Sequence, residues 1–188
     1  MKTIFYFLTV SLACGFLFTS CSDDEWGSGD PAMEHVYYFG FQNWGSTSGT
    51  YNNNKVVYSL TKGNSLQIPV EFHSERTRSY DVVVYYYVSA QDTELKRGID
   101  YQITDENGTE IHPDSNGAFA MTFPKAVKEV RDIYVKSLST GSKGSFYVLT
   151  FDPNAGGISH PDNIVNNKTN EYEVRAFTRN YKVKVDVK

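Results

Sequence analysis

Apolar residues recur at every second position through much of this chain. Leu66, Ile68, Val70 and Phe72 alternate with polar residues or proline; Phe119, Met121 and Phe123 alternate up to Pro124. Near the end, Tyr181, Val183, Val185 and Val187 alternate with Lys182, Lys184, Asp186 and Lys188. Period two marks a strand with one buried face. Further strands are predicted over residues 35–41, 56–60, 101–103, 110–112, 131–138, 145–152 and 171–177. Turn signals separate them, including Lys62-Gly63-Asn64 and the hairpin turn Asp105-Glu106-Asn107-Gly108. Pro69 cannot donate to a ladder, which predicts a sheet edge or a bulge for residues 66–72. Residues 81–89 are apolar on both faces, with Val82, Val84, Tyr86 and Val88 on one and Val83, Tyr85 and Tyr87 on the other. They predict a central strand whose second face is either buried by another sheet or shown as an aromatic surface. No segment keeps a helical period. Around nine or ten of these as short strands with regular turns predict an all-β fold, an immunoglobulin-like antiparallel sandwich.

One stretch breaks the alternation. Residues 4–18 are almost continuously apolar behind the positive Lys2, as in a signal peptide, and are shorter than the ~20 residues of a membrane-spanning helix. Thr19 and Ser20 lead into Cys21, an arrangement that resembles the lipobox of bacterial lipoproteins, with Phe18 where leucine usually stands. Looser boxes of this kind are similar to those of Bacteroidetes. The resemblance implies cleavage before Cys21 and attachment of lipid to its sulfur, making outer-membrane lipid a partner. Ser22-Asp23-Asp24-Glu25 resembles the acidic signal that sends Bacteroidetes lipoproteins to the outer face of the outer membrane; the plain alternative is the solvated start of a linker. Residues 1–20 are thus read as signal peptide, 21–34 as a lipidated flexible tether, and 35–188 as the sandwich.

Composition sharpens this. Of the two cysteines, Cys14 leaves with the signal and Cys21 carries lipid, so no disulfide is expected and apolar packing must hold the domain. Fourteen Tyr and twelve Phe supply that packing. The formal charge of −4 becomes one unit more acidic once Lys2 is gone, which argues against nucleic acid as a partner.

Within the predicted strands, residues 84–89, then Thr93, Gly98-Ile99-Asp100-Tyr101, Phe119-Ala120-Met121-Thr122-Phe123 and Asp132-Ile133-Tyr134-Val135-Lys136 follow one another in an order that resembles Calx-beta-like sandwiches. Uncharacterised Bacteroidetes surface lipoproteins with such a domain are similar in the same places. Calcium-binding members carry acids in a turn where this chain has Ser139-Thr140-Gly141-Ser142-Lys143-Gly144, with none, so the resemblance implies no metal there. Asp100 is expected to pin its own corner by bonding backbone amides.

Candidate chemistry is sparse. No phosphate loop, Gly-x-Ser-x-Gly elbow or His-Glu-x-x-His motif occurs, and Glu71, Glu75 and Asp92 are scattered as on solvated strand edges. No catalytic residue, metal or cofactor is assigned. His112-Pro113-Asp114 and His160-Pro161-Asp162 are either two meeting His/Asp pairs or two proline-set turns. Trp44 and Tyr51 sit in the polar loop of residues 42–54 beside Asn43 and Asn53. They either present ring faces and amides to a sugar or fold back as a plug. The expectation is a non-enzymatic surface lipoprotein that binds extracellular glycan or another surface ligand for nutrient uptake. The alternative is a structural or adhesive module that contacts another protein through an exposed sheet edge.

Overall fold

A computed structural model describes residues 33–42, 56–90, 94–155, 164–177 and 180–188. The chain divides after Glu34, and every described strand lies in the second unit, His35–Lys188. The strands are β1 (Val36–Phe41), β2 (Val57–Leu60), β3 (Ser65–His73), β4 (Val82–Ser89), β5 (Tyr101–Thr104) and β6 (Ala118–Phe123). β7 (Glu129–Ser137), β8 (Gly144–Leu149), β9 (Val165–Lys168), β10 (Glu173–Ala176) and β11 (Lys182–Val187) follow. They form a six-stranded sheet ordered β5-β7-β3-β1-β10-β9 and a five-stranded sheet ordered β2-β11-β8-β4-β6. Pairing is antiparallel except between β1 and β10 and between β11 and β2. This is an all-β, immunoglobulin-like sandwich, in which alternate residues of both sheets meet in the middle.

The alternation predicts which residues those are. Ile68, Val70 and Phe72 of β3, Val82, Val84 and Tyr86 of β4, Phe119 and Phe123 of β6, and Val183, Val185 and Val187 of β11 are all buried. Aromatic rings fill the space between the sheets. Phe72 stacks on Phe123 at 4.7 Å, Tyr86 on Phe119 at 5.1 Å, and Tyr101 on Phe146 at 4.2 Å between ring centroids. Each such side chain stabilises the fold by about 1.5–3 kcal/mol through burial. Burial also pushes the Tyr101 hydroxyl up to about 12.

Three expectations are corrected. β3 is interior, flanked by β7 and β1, although it contains Pro69. Its pairing with β1 ends at Val70, opposite Phe41, and Phe41 turns its N–H away to the carbonyl of Asn180 at 2.8 Å. Because successive residues of a strand point to opposite sides, the missing donor of Pro69 falls on the β1 side just past that strand's end. Residues 110–112 contribute only an isolated bridge, Thr104 to Glu110, rather than a strand. Finally, β9, with its sequence Val-Asn-Asn-Lys, was not predicted. With residues 110–112 lost and β9 gained, eleven strands are described.

The 101–109 corner is close to expectation. Asp105 closes the hairpin turn by accepting the N–H groups of Asn107 and Thr109 at 2.9 and 2.8 Å. Asp100, only 3% exposed, accepts the N–H of Lys96 through Oδ2 and that of Ser142 through Oδ1, both at 2.6 Å. Those amides, Ser142 first, hold its carboxyl below the usual aspartate range. Gly141 lets the loop approach: a Cβ there would lie 2.6 Å from the Asp100 Cα and carbonyl oxygen.

Candidate functional site

Each sheet has two edges, and three of the four are blunted in recognisable ways. The free side of β5 is covered by the returning chain, where Ile111 N–H bonds the Ile103 carbonyl at 2.9 Å. β2 is only four residues long. β9 is four residues long, carries a register shift in its pairing with β10, and turns its asparagine side chains onto β4. Short strands, bulges and coverings are the usual means of discouraging a sheet from adding a strand.

β6 is blunted only at its two ends. It is six residues of Ala-Phe-Ala-Met-Thr-Phe, uncharged, without internal proline, and in regular register with β4 from Ala118 to Phe123. Which main-chain groups it leaves open follows from β4. Val83 gives its N–H to the Tyr172 hydroxyl at 3.0 Å and its carbonyl accepts from Asn167 at 2.7 Å; Tyr85 bonds Asn166 in the same two ways, at 2.9 and 2.5 Å. Val83 and Tyr85 therefore point away from β6, and Val82, Val84 and Tyr86 point toward it. Their partners Phe123, Met121 and Phe119 point back at β4. That leaves Ala118, Ala120 and Thr122 facing outward.

The outward groups are not all open. Ala118 donates to Asp114 Oδ1 at 2.9 Å and accepts from the Asp114 N–H at 2.9 Å. Beyond the strand, Pro124 has no N–H and its carbonyl accepts from Val127 at 3.1 Å. Ala120 and Thr122 form the window between these two closed positions. Both residues are exposed, and neither has a main-chain partner on that side among the described residues.

Side chains frame the window. On the inner side, the guanidinium of Arg97 lies 5.6 Å from the centre of the Phe119 ring, and that of Arg131 lies 5.2 Å from the centre of the Phe123 ring. On the outer face, Tyr85 and Tyr87 stand opposite Ala120 and Ala118, whose methyl groups leave the rings half-exposed. They are not buried under another sheet, because the six-stranded sheet packs on the opposite face. Burial first, then the carboxylates of Asp152 and Asp114, raise the Tyr87 hydroxyl above the ordinary tyrosine value.

The outer face of the six-stranded sheet is different in kind, because several of its charges satisfy one another. Glu173 accepts from Lys168 Nζ at 2.7 Å and from Arg175 Nε at 2.6 Å, which together, Lys168 first, hold its carboxyl low. Glu71 lies 3.5 Å from both His73 Nδ1 and Lys128 Nζ. Phe177 stacks on Tyr38 at 5.9 Å and lies across Gly40, where any side chain would collide with it.

The residues singled out from the sequence mostly lie elsewhere. Cys21, Ser22, Asp23, Asp24, Glu25, Asn43, Trp44, Tyr51 and Asn53 fall outside the described residues, as do Asp92 and the His160-Pro161-Asp162 turn. His112 is exposed, 3.9 Å from Glu110, while Asp114 serves the turn before β6. Among the described residues, no three His, Cys, Asp or Glu side chains are grouped to hold a metal ion. The edge window itself was not located in advance. Its signal, an uncharged alternating strand closed by Asp114 and Pro124, is visible in the sequence only once the pairing order is known.

No protein-family model matches the chain, and no curated protein matches it. Among solved structures, the chain is similar to one chain of the CaDoc0917–CaCohA2 complex, at 13% identity and a TM-score of 0.40, over 81% of this chain and 99% of that one. It is similar to a chain of the R. flavefaciens third ScaB cohesin in complex with a group 1 dockerin, at 16% identity and a TM-score of 0.30, over 81% and 94%. A family 123 glycoside hydrolase from Clostridium perfringens is similar at 12% identity and a TM-score of 0.27, over 73% of this chain and 24% of that one. Likenesses of this depth carry no functional argument.

Proposed function

We propose that the protein is a non-enzymatic interaction module that engages an extended segment of another protein by strand addition at β6. The observation that carries this reading is the pair of unblocked main-chain positions, Ala120 and Thr122, in the middle of a strand that is blunted only at its ends. Main-chain bonds at such an edge supply affinity, and the side chains alongside supply selectivity. The lipobox-like Cys21 and the acidic Ser22–Glu25 run support display of the domain at the outer face of an outer membrane.

The test uses a photo-crosslinking residue at position 120 in the full chain, on intact cells that make the protein. An adduct with a second protein from position 120, absent from the same residue at Gln67 and lost with Thr122→Pro, is the expected result. Thr122→Pro removes only an outward N–H, a change that edge strands tolerate. An adduct that survives Thr122→Pro with the fold intact contradicts strand addition.

A second reading rests on Tyr85 and Tyr87. Two ring faces spaced about 7 Å along one strand, flanked by alanines, suit stacking on sugar rings in an extracellular glycan. Loss of glycan-array binding in Tyr85→Ala and Tyr87→Ala variants is its expected signature; unchanged binding, or no binding by the parent, retires it.

A further inference from the structure

Resting on the strand-addition reading, the structure points to the chemistry of the partner: we infer an extended segment carrying two acidic side chains four residues apart. Residues facing inward from an added strand would stand beside Phe119, Met121 and Phe123, along the seam where the two sheets separate. That seam is lidded by two cations, Arg97 above Phe119 and Arg131 above Phe123. Four residues of extended chain separate the two rings, about 13 Å, which is the spacing of positions i and i+4 on the added strand. The position between them meets Met121, which is half-buried and packs on the core, and so takes an apolar side chain.

The two guanidiniums are available for this. Arg97 is exposed and has no ion pair among the described residues. Arg131 binds Glu129 through Nε alone, at 3.0 Å, leaving its two terminal nitrogens for a carboxylate. A planar guanidinium offers paired N–H groups that match a carboxylate. A lid whose only task was to cover ring faces is adequately explained by the aliphatic stem of any long side chain. Two arginines in register with β6 residues four apart go further, because they read the charge of whatever pairs there. A second copy of this chain is disfavoured as occupant: antiparallel pairing of β6 with itself centres on Met121, which brings Arg97 of one copy toward Arg131 of the other.

The test uses isotope-labelled full-length protein and a capped seven-residue peptide with glutamate at positions two and six, valine at four and threonine elsewhere. The expected result is saturable shifts of the Ala120 and Thr122 amides. Binding should weaken at least about tenfold when lysines replace the glutamates, and also in the Arg97→Gln, Arg131→Gln double variant. It should be lost when the peptide amides facing β6 are N-methylated. Equal binding of the glutamate and lysine peptides overturns the acidic-partner inference while leaving strand addition standing. Unchanged affinity of the methylated peptide, or no shift at β6 with any peptide, overturns both. Broadening of the β6 amides that grows with protein concentration, without peptide, assigns the edge to a second copy and also overturns the inference.

Discussion

Asp100 shows how one side chain can fix a corner of this fold. Its two carboxylate oxygens hold Lys96 and Ser142 by their amides, so residues 96–101 and the 139–144 loop are stapled at a single buried group. A carboxyl held below its usual range by such bonds contributes stability above the unfolded aspartate value near 4 and loses it as pH falls through the folded value. The thermal midpoint is therefore expected to fall steeply below about pH 4, and to fall less steeply in Asp100→Asn, which starts lower at neutral pH. Melting curves between pH 2 and 7 measure both. Parallel pH profiles for the two proteins contradict this role. The expectation that Asp100 bonds backbone amides was legible because an aspartate in the corner Gly98-Ile99-Asp100-Tyr101 can close it with its own carboxylate. That one of its partners would be Ser142, 42 residues away, was not legible, because the loop's approach depends on Gly141 and on tertiary packing.

At the scale of elements, the alternating strands were legible and the irregular ones were not. β3, β6 and β11 were read correctly from period two because each buries one face against a single sheet. Pro69 misled, since a proline in mid-sheet is admissible when its neighbour has already ended. β9 was invisible because it is held by side chains rather than by an apolar face. Asn166 bonds Tyr85 through both its amide atoms and also the Thr150 carbonyl at 2.8 Å, while Asn167 bonds the Val83 carbonyl, so two side chains replace a missing strand beside β4. Asn166→Ala leaves three part-buried main-chain groups without those bonds. It is expected to destabilise the fold by about 1–3 kcal/mol, read by denaturant unfolding. A change within a few tenths of a kcal/mol contradicts the role given to this side chain.

At the scale of the whole molecule, and among the described residues, one sheet face carries several mutually paired charges, one side is sealed by β9, and one edge is open at Ala120 and Thr122. The sandwich follows from the alternation and aromatic content of the sequence. Which strand lies at an edge does not, because that depends on a pairing order set by contacts far apart in the chain. An exposed edge as a contact surface was among the sequence expectations, but nothing in residues 118–123 alone marks them as that edge.

Residue-resolved amide hydrogen exchange of the free protein tests the central claim most directly. Slow exchange at Phe119, Met121 and Phe123 alternating with exchange at least about a hundredfold faster at Ala120 and Thr122 is the predicted result. Uniform protection along β6 would mean that the edge is already covered, and would contradict the account.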